Sequence, residues 1–258
     1  MSPHQRPHFS TFRERLLGRQ RMFGTFVKLP TTQVIEMLGQ IGYDFIIIDQ
    51  EHAPLDRGIT DMMIFAARAS NLAPIVRIAE FTGANVLSAL DCGAMGIMVP
   101  HVASVEKAEA IVRASRYDGG SRGFVGLSRA SNWGAAGPTE HMKLQDNQVA
   151  VIPMIEDQHA IDLAGDIARV AGIDALFIGR GDLTASFHGN PDAAARVAEI
   201  SRRVAAGASD ADTPLMMLPT SKPDLEFAVS LGASALVISS DHGFIRSAAS
   251  AALADFSA

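Results

Sequence analysis

Short apolar runs alternate with longer amphipathic stretches along almost the whole chain. The runs lie at 25–28, 45–48, 74–77, 96–99, 150–155, 175–178, 215–218 and 235–238. Several are apolar at successive positions, as in Phe45, Ile46, Ile47 and Ile48. Such a run predicts a strand covered on both faces, as in a parallel sheet. The same short phrase precedes several of them: a helix end, a glycine, then the strand. It reads LGQIGYDFIIID, ALDCGAMGIMVP, VAGIDALFIG and VSLGASALVIS. Glycine suits the left-handed position just past a helix C-terminus. A repeated unit of helix, glycine turn and buried strand predicts βα repeats, and eight of them predict an α/β fold of the (β/α)8 TIM-barrel type. A doubly wound open sheet is the competing arrangement, but no glycine-rich dinucleotide fingerprint follows the first strand.

The remaining segments fit one barrel domain spanning 1–258. Residues 1–9 read as a disordered tip, and a short helix is expected over 11–17, capped by Ser10. Helices are also expected over 84–90 and 105–116. One connection, 117–148, is out of proportion and rich in Gly, Ser and Asn. Connections of that length inside compact domains are usually functional or ordered by a partner. Its Arg122, Arg129 and Trp133 point to subunit contacts, with a reach towards a neighbour's site.

Chemistry collects where strands end. The second run stops on Asp49, Glu51 and His52, the third on Arg77, the fourth on Pro100 and His101, and the fifth on Glu156. The sixth runs into Gly179-Arg180-Gly181-Asp182. In parallel α/β folds the carboxyl ends of strands are where ligands bind. Glu156 and Asp182, on neighbouring strands beside glycines, suit a hard divalent cation with coordination positions left open for substrate. Duller readings exist for each residue. The two acids are also good helix caps, Arg77 is an ordinary ion-pair partner, His52 alone is more often a hydrogen-bonded bystander than a catalyst, and His101 after a Val-Pro step merely lines the pocket. The combination of acids, arginine and imidazole on one face of a barrel is what favours a site. Asp91 ends a helix and falls away from that face; it is either a surface residue or a group donated across an interface. Cys92 reads as a small buried residue rather than a nucleophile.

Composition narrows the field further. Of 258 residues, 48% are hydrophobic and 19% charged, ample for a core. A net charge of −6 with no basic stripe argues against nucleic acid. The single cysteine excludes an intrachain disulfide and a thiolate metal cluster. No apolar run reaches the roughly 18 residues needed to span a bilayer, and the first residues are too polar for a signal peptide. A cytoplasmic enzyme is the expectation.

These motifs resemble those of the HpcH/HpaI aldolase family of metal-dependent class II pyruvate aldolases. FIIIDQEHAP resembles the family's Asp-x-Glu-His-Ala-Pro strand end, and PIVRI its arginine strand. ALDCGAMGIMVP resembles its Leu-Asp-x-Gly segment, VIPMIE its metal-glutamate strand, FIGRGDLTASF its metal-aspartate turn, and RGFVGLSRASNW its long loop. The resemblance runs from about Phe23 to Phe256. It implies a barrel whose last helix is exchanged between subunits in a trimer of dimers, a homohexamer. It also implies that Glu156 and Asp182 bind a divalent ion (Mg²⁺, Mn²⁺ or Co²⁺), that Arg77 stabilises an enolate oxygen and that His52 is the acid–base group. Asp49 and Asp91 would orient or polarise these, Asp91 arriving from an adjacent subunit. Two positions depart from the family pattern. Met154 stands where a Gln is usual, and Gly-Arg-Gly-Asp replaces Gly-Pro-Ala-Asp, although the amides around Gly181 and Asp182 should still hold a substrate carboxylate.

The implied reaction is reversible cleavage of a 4-hydroxy-2-oxo acid to an aldehyde and pyruvate, or a close 2-oxo acid such as hydroxypyruvate. The alternatives are a citrate-lyase-like enzyme acting on a CoA thioester, an oxaloacetate decarboxylase and a non-catalytic binding barrel.

Overall fold

The apolar runs form strands, and two separate layers of side chains explain why they are apolar without alternation. The computed structural model describes residues 6–257. Strands β1 (Met22–Val27), β2 (Phe45–Asp49), β3 (Ala73–Arg77), β4 (Gly96–Val99), β5 (Ala150–Ile155), β6 (Leu176–Ile178), β7 (Leu215–Met217) and β8 (Ala233–Ser240) pair in chain order. They close, β8 on β1, into a parallel barrel. Inward-facing Phe26, Phe45, Ile47, Ile75, Met98, Ile152, Phe177, Met216 and Val237 fill its interior. Outward-facing Ile46, Ile48, Val76, Ile97, Val99 and Val151 pack beneath the helices in a second cluster. Each strand is therefore dry on both faces, the usual state of a parallel barrel. Gly24 is required by that packing, because a Cβ there would lie 2.2 Å from the Phe45 ring.

Helix α1 (Phe12–Leu17) plugs the amino-terminal end of the barrel with Phe12 and Leu16, and the Phe12 and Phe45 rings lie 5.3 Å apart. The outer layer is formed by α2 (Thr32–Ile41), α3 (Arg57–Ala69), α4 (Gly83–Asp91), α5 (Val105–Ser115), α6 (Pro138–Gln148), α7 (Ala164–Ala168), α8 (Arg180–Ser186), α9 (Ala193–Asp210) and α10 (Lys222–Ser230). Helix α11 (Asp241–Phe256) follows β8. The glycines of the four repeated phrases, Gly42, Gly93, Gly172 and Gly232, have φ of +111°, +95°, +98° and +88°. All four occupy the left-handed region that the helix-ending reading requires.

Three details differ from the sequence reading. Ser10 does not cap α1. It lies within a 3-10 turn, Phe9–Thr11, that the His8 ring caps, and Thr11 precedes α1 without a side-chain cap bond. Nor is the tip free from Arg6 onward. The Arg6 guanidinium donates to the carbonyls of Tyr43, Gly39 and Ser70, and the Phe9 amide donates to Asn71 Oδ1 at 2.9 Å. Residues 1–5 of the expected tip lie outside the described residues. The long connection ends in the 11-residue helix α6, started by Pro138 at its first turn. The Gly, Ser and Asn that precede it mask that helix in a composition-based reading. No helix among the described residues is long and apolar enough to cross a membrane.

Candidate active site

The register of the barrel decides which strand-end groups meet. Asp49 and Arg77 are the last residues of β2 and β3 and are direct partners in the ladder. Arg77 donates through Nε to Asp49 Oδ1 (2.9 Å) and through Nη2 to Oδ2 (2.6 Å), a bidentate pair. Asp49 is fully buried and Arg77 nearly so. Asp49 Oδ1 also accepts the amides of Glu51 and His52 at 3.2 and 3.1 Å, and Lys28 Nζ stands 3.2 Å from Oδ2. Burial alone would raise the Asp49 pKa. The hydrogen bonds and charge of Arg77, with the His52 amide and Lys28, reverse this and hold it below the ordinary carboxylate value. Asp49 is therefore a positioning group that sets both the guanidinium and the 51–52 turn. The third Arg77 nitrogen, Nη1, reaches Glu51 Oε2 at 3.1 Å.

Glu156 follows β5 and caps no helix, since the next 3-10 turn begins at Gln158 with Asp157 before it. Its Oε1 accepts the amide of His101 at 2.8 Å, while its buried Oε2 has no hydrogen-bond partner. Gly179 leaves room for that oxygen; a Cβ there would lie 2.5 Å from Oε2. Burial pushes the Glu156 carboxyl up to about 7. The His101 amide and ring oppose the rise, and the charges of Asp182 and Glu51 add to it. His101 sits at φ +53°, a left-handed backbone that a side-chain-bearing residue adopts only under constraint. Lys107 holds this corner by donating to the carbonyls of Pro100 (3.2 Å) and His101 (2.7 Å).

A carboxylate oxygen that is buried, unpartnered and pushed towards neutrality fits a missing cation. The ligand atoms of Glu51, His101 and Glu156 lie within 4.8 Å of one another, a spacing a metal ion can bridge. Asp182, in the first turn of α8, is near enough to Glu156 for its charge to raise that pKa. The atoms that meet at metal-bridging distance are those of Glu51, His101 and Glu156, and the expected partner Asp182 is not one of the three. Glu51 and His101 join Glu156 there, although the sequence placed them at strand ends without a metal role.

A cavity of about 1090 Å³ opens at the carboxyl ends of the strands, at the upper end of small-molecule pockets. His52, Arg77, Met154, Gly181, Asp182 and Lys28 line it. His52 is half-exposed there, its Nε2 3.8 Å from Glu51 Oε2. Asp91 does not join them. It ends α4 at the opposite end of the barrel, 3.6 Å from Arg122 in a cluster with Tyr117 and His141. Cys92, next to it, is buried and unpaired. Arg180 lines the cavity mouth but is committed elsewhere. It forms two 2.6 Å bonds to Asp224 and one to the Leu218 carbonyl.

That pair carries a pH signature. Hydrogen bonds from Arg180, opposed by burial and aided by the Thr220 amide, hold Asp224 at about 2 against an ordinary 3.8. A depressed folded pKa stabilises the fold above the unfolded value and is lost as pH falls through the folded one. The difference in melting temperature between wild type and Asp224→Asn should therefore be full at pH 5 and should close between about pH 4 and 2. A gap independent of pH would show that the ion pair does not hold this corner.

Lys28 is a cavity residue that sequence inspection passed over. It follows β1 directly, so the strand-end rule applied to the first strand would have found it.

A family model described as HpcH/HpaI aldolase/citrate lyase matches residues 22–247. The chain is 32% identical over 243 residues to a hydroxypyruvate/pyruvate aldolase of Roseobacter denitrificans, covering 90% of this chain and 91% of that protein. It is 30% identical over 243 residues to a 5-keto-4-deoxy-D-glucarate aldolase of Escherichia coli, covering 92% and 93%. Among solved structures, the citrate synthase SbnG superposes with a TM-score of 0.86 at 29% identity, covering 95% of this chain and 97% of that one.

Proposed function

The chain belongs to the HpcH/HpaI aldolase/citrate lyase family, and from that premise we propose that it is a divalent-metal-dependent aldolase cleaving 4-hydroxy-2-oxo acids to an aldehyde and pyruvate or hydroxypyruvate. The observation that carries this reading is the unpartnered buried Oε2 of Glu156, with Glu51 and His101 at metal-bridging distance and Asp182 near enough for its charge to be felt. Glu156 and Asp182, with Glu51 and His101 in reach, would hold a Mg²⁺, Mn²⁺ or Co²⁺ ion, which when bound would supply Lewis acidity to the 2-oxo group.

This chain's own groups do the rest. The amides at Gly181 and Asp182 receive the substrate carboxylate at the start of α8, with the Met154 side chain against it. His52, exposed to the cavity, takes the proton from the C4 hydroxyl as the C3–C4 bond breaks and the aldehyde leaves. The electron pair moves onto the enolate, whose oxygen charge faces Arg77, fixed in advance by Asp49. Protonation at C3 then releases the 2-oxo acid. The reverse sequence builds the aldol.

The His52 role has a specific test. His52→Ala should slow aldol cleavage by about a hundredfold or more, within the range for acid–base groups, and slow exchange of the pyruvate methyl protons much less. Equal losses, followed by NMR exchange and by coupled aldehyde release, would give His52 a broader role.

The assembly belongs to the same proposal: a trimer of dimers with α11 exchanged and Asp91 presented to a neighbouring site. In support, α11 buries little beyond Asp241 and leaves Ile245, Leu253 and Phe256 exposed. Phe124, Leu127 and Trp133 of the long connection are also exposed, and Asp91 Oδ1 is buried without a hydrogen-bond partner among the described residues. The reaction itself is tested by screening pyruvate with a panel of aldehydes and each metal in turn. Turnover that requires CoA, or oxaloacetate decarboxylation without any aldol activity, would overturn the reading.

A further inference from the structure

Of the acids in the proposed cation site, Asp182 is the one least secured by its own element. Helix α8 has seven residues, buries only Leu183 and starts at Gly179 without a side-chain cap. A helix that short is marginal by itself, so contacts with other elements must fix it. Among the described residues, two sets of side-chain hydrogen bonds do so. At its end Gln158 donates to Ser186 at 3.0 Å. At its start Arg180 donates through Nη1 and Nη2 to the two carboxylate oxygens of Asp224 and through Nη2 to the Leu218 carbonyl, each at 2.6 Å.

The far end of the Arg180 tie is itself held. Asp224 lies in the first turn of α10, which Ser221 caps, and its Oδ2 accepts the Thr220 amide at 2.8 Å and the Thr220 hydroxyl at 3.1 Å. Leu218 directly follows β7. The tie therefore joins α8 to a strand end and to a capped helix. On the other flank Gly179 stands against Glu156. Its amide donates to the Ile155 carbonyl at 3.0 Å, and a Cβ on it would lie 2.5 Å from Glu156 Oε2. Arg180 sits one residue from that contact and two residues from Asp182. A guanidinium that grips both oxygens of a carboxylate fixes orientation as well as distance, so the start of α8 can neither swing nor withdraw freely.

We propose that Arg180 is a positioning residue for the cation site: tied to Asp224 and Leu218, it holds the 179–182 turn so that the Asp182 carboxylate is presented towards Glu156. This role rests on the proposed metal function of Asp182 and goes beyond it, since Arg180 itself binds no metal. Charge and positioning have opposite signs here. A guanidinium near a cation site repels the cation, so its removal would by charge alone tighten metal binding. Loss of positioning weakens it.

The test is calorimetric titration of the metal-free protein with Mn²⁺. Arg180→Met should weaken Mn²⁺ binding about tenfold to a hundredfold, the range for groups that orient a metal ligand. Arg180→Lys keeps the charge without the planar fork and should also weaken binding; it carries the test if the Met variant does not fold. In an Asp182→Asn background, where Glu51, His101 and Glu156 remain, Arg180→Met should alter the affinity by less than about twofold, as expected of a residue that acts only through Asp182. Hydrogen exchange of the 181–186 amides in the metal-free protein should quicken in both Arg180 variants. Mn²⁺ affinity unchanged or tightened in both Arg180 variants would overturn the proposal, as would an undiminished effect of Arg180→Met in the Asp182→Asn background. Absence of Mn²⁺ binding by wild type would instead overturn the metal reading, and the positioning role with it.

Discussion

Glu156→Gln is expected to reduce metal-dependent turnover at least about a thousandfold while leaving the barrel folded, because it removes a charge from the proposed cation site. Calorimetric titration with Mn²⁺ should show the binding isotherm lost or greatly weakened, with circular dichroism unchanged. The carboxyl's environment adds a second, independent reading. In the metal-free protein, burial raises Glu156 from an ordinary 4.5 to about 7, a shift on the order of 3 kcal/mol. Between those values the folded form keeps its proton and the unfolded form has lost it. The stability of the metal-free protein should then fall as pH rises from about 4.5 to 7. The same proton competes with the cation, so the apparent metal affinity should climb across the same interval. In Glu156→Gln the fall in stability should flatten. Full activity of that variant, or of the wild type with metal removed and its absence verified by elemental analysis, would end the metal-dependent reading.

Arg77→Met should be damaging in two separable ways. In the proposed mechanism the guanidinium faces the enolate oxygen, and loss of one such stabilising group costs about 10²–10³ in kcat. It is also the bidentate partner of Asp49, which is fully buried. Stranding a buried carboxylate typically costs about 3–5 kcal/mol; Lys28 at 3.2 Å places the expectation at the lower end of that range. The double variant Arg77→Met/Asp49→Asn removes the stranded charge, so urea melts should recover much of the stability. Steady-state rates should not recover. A return of turnover in the double variant would assign the defect to the orphaned carboxylate and take Arg77 out of the chemistry.

Much of this arrangement was legible in one dimension because it depends on local rules. The glycine before each buried strand marks a left-handed helix end, which no side-chain-bearing residue adopts so readily. All four phrases read that way sit at positive φ. Uninterrupted apolar runs identify strands covered on both faces, and acids, arginine and imidazole placed just beyond them mark the end of the barrel where the candidate site lies. The α6 helix was not legible, because a proline-initiated helix following a glycine-rich stretch resembles more of the same loop. The Ser10 cap failed for a related reason: His8 offers its ring nitrogen to the same short turn, and the competition is settled by a few atoms in space.

The chain by itself determined the βα repeat, the eight strands and the groups at their ends, since each follows from hydrophobic period and turn chemistry within some thirty residues. Only the tertiary structure decided which of those groups act together. Closure of the barrel sets Arg77 against Asp49 through strand register and brings His101 and Glu51 to Glu156. It also turns Arg180 to Asp224 and sets Lys28 against Asp49 at the cavity wall. Hydrogen bonds and charges between residues far apart in sequence depend on angstroms, and a linear pattern carries no information about distance across a closed sheet.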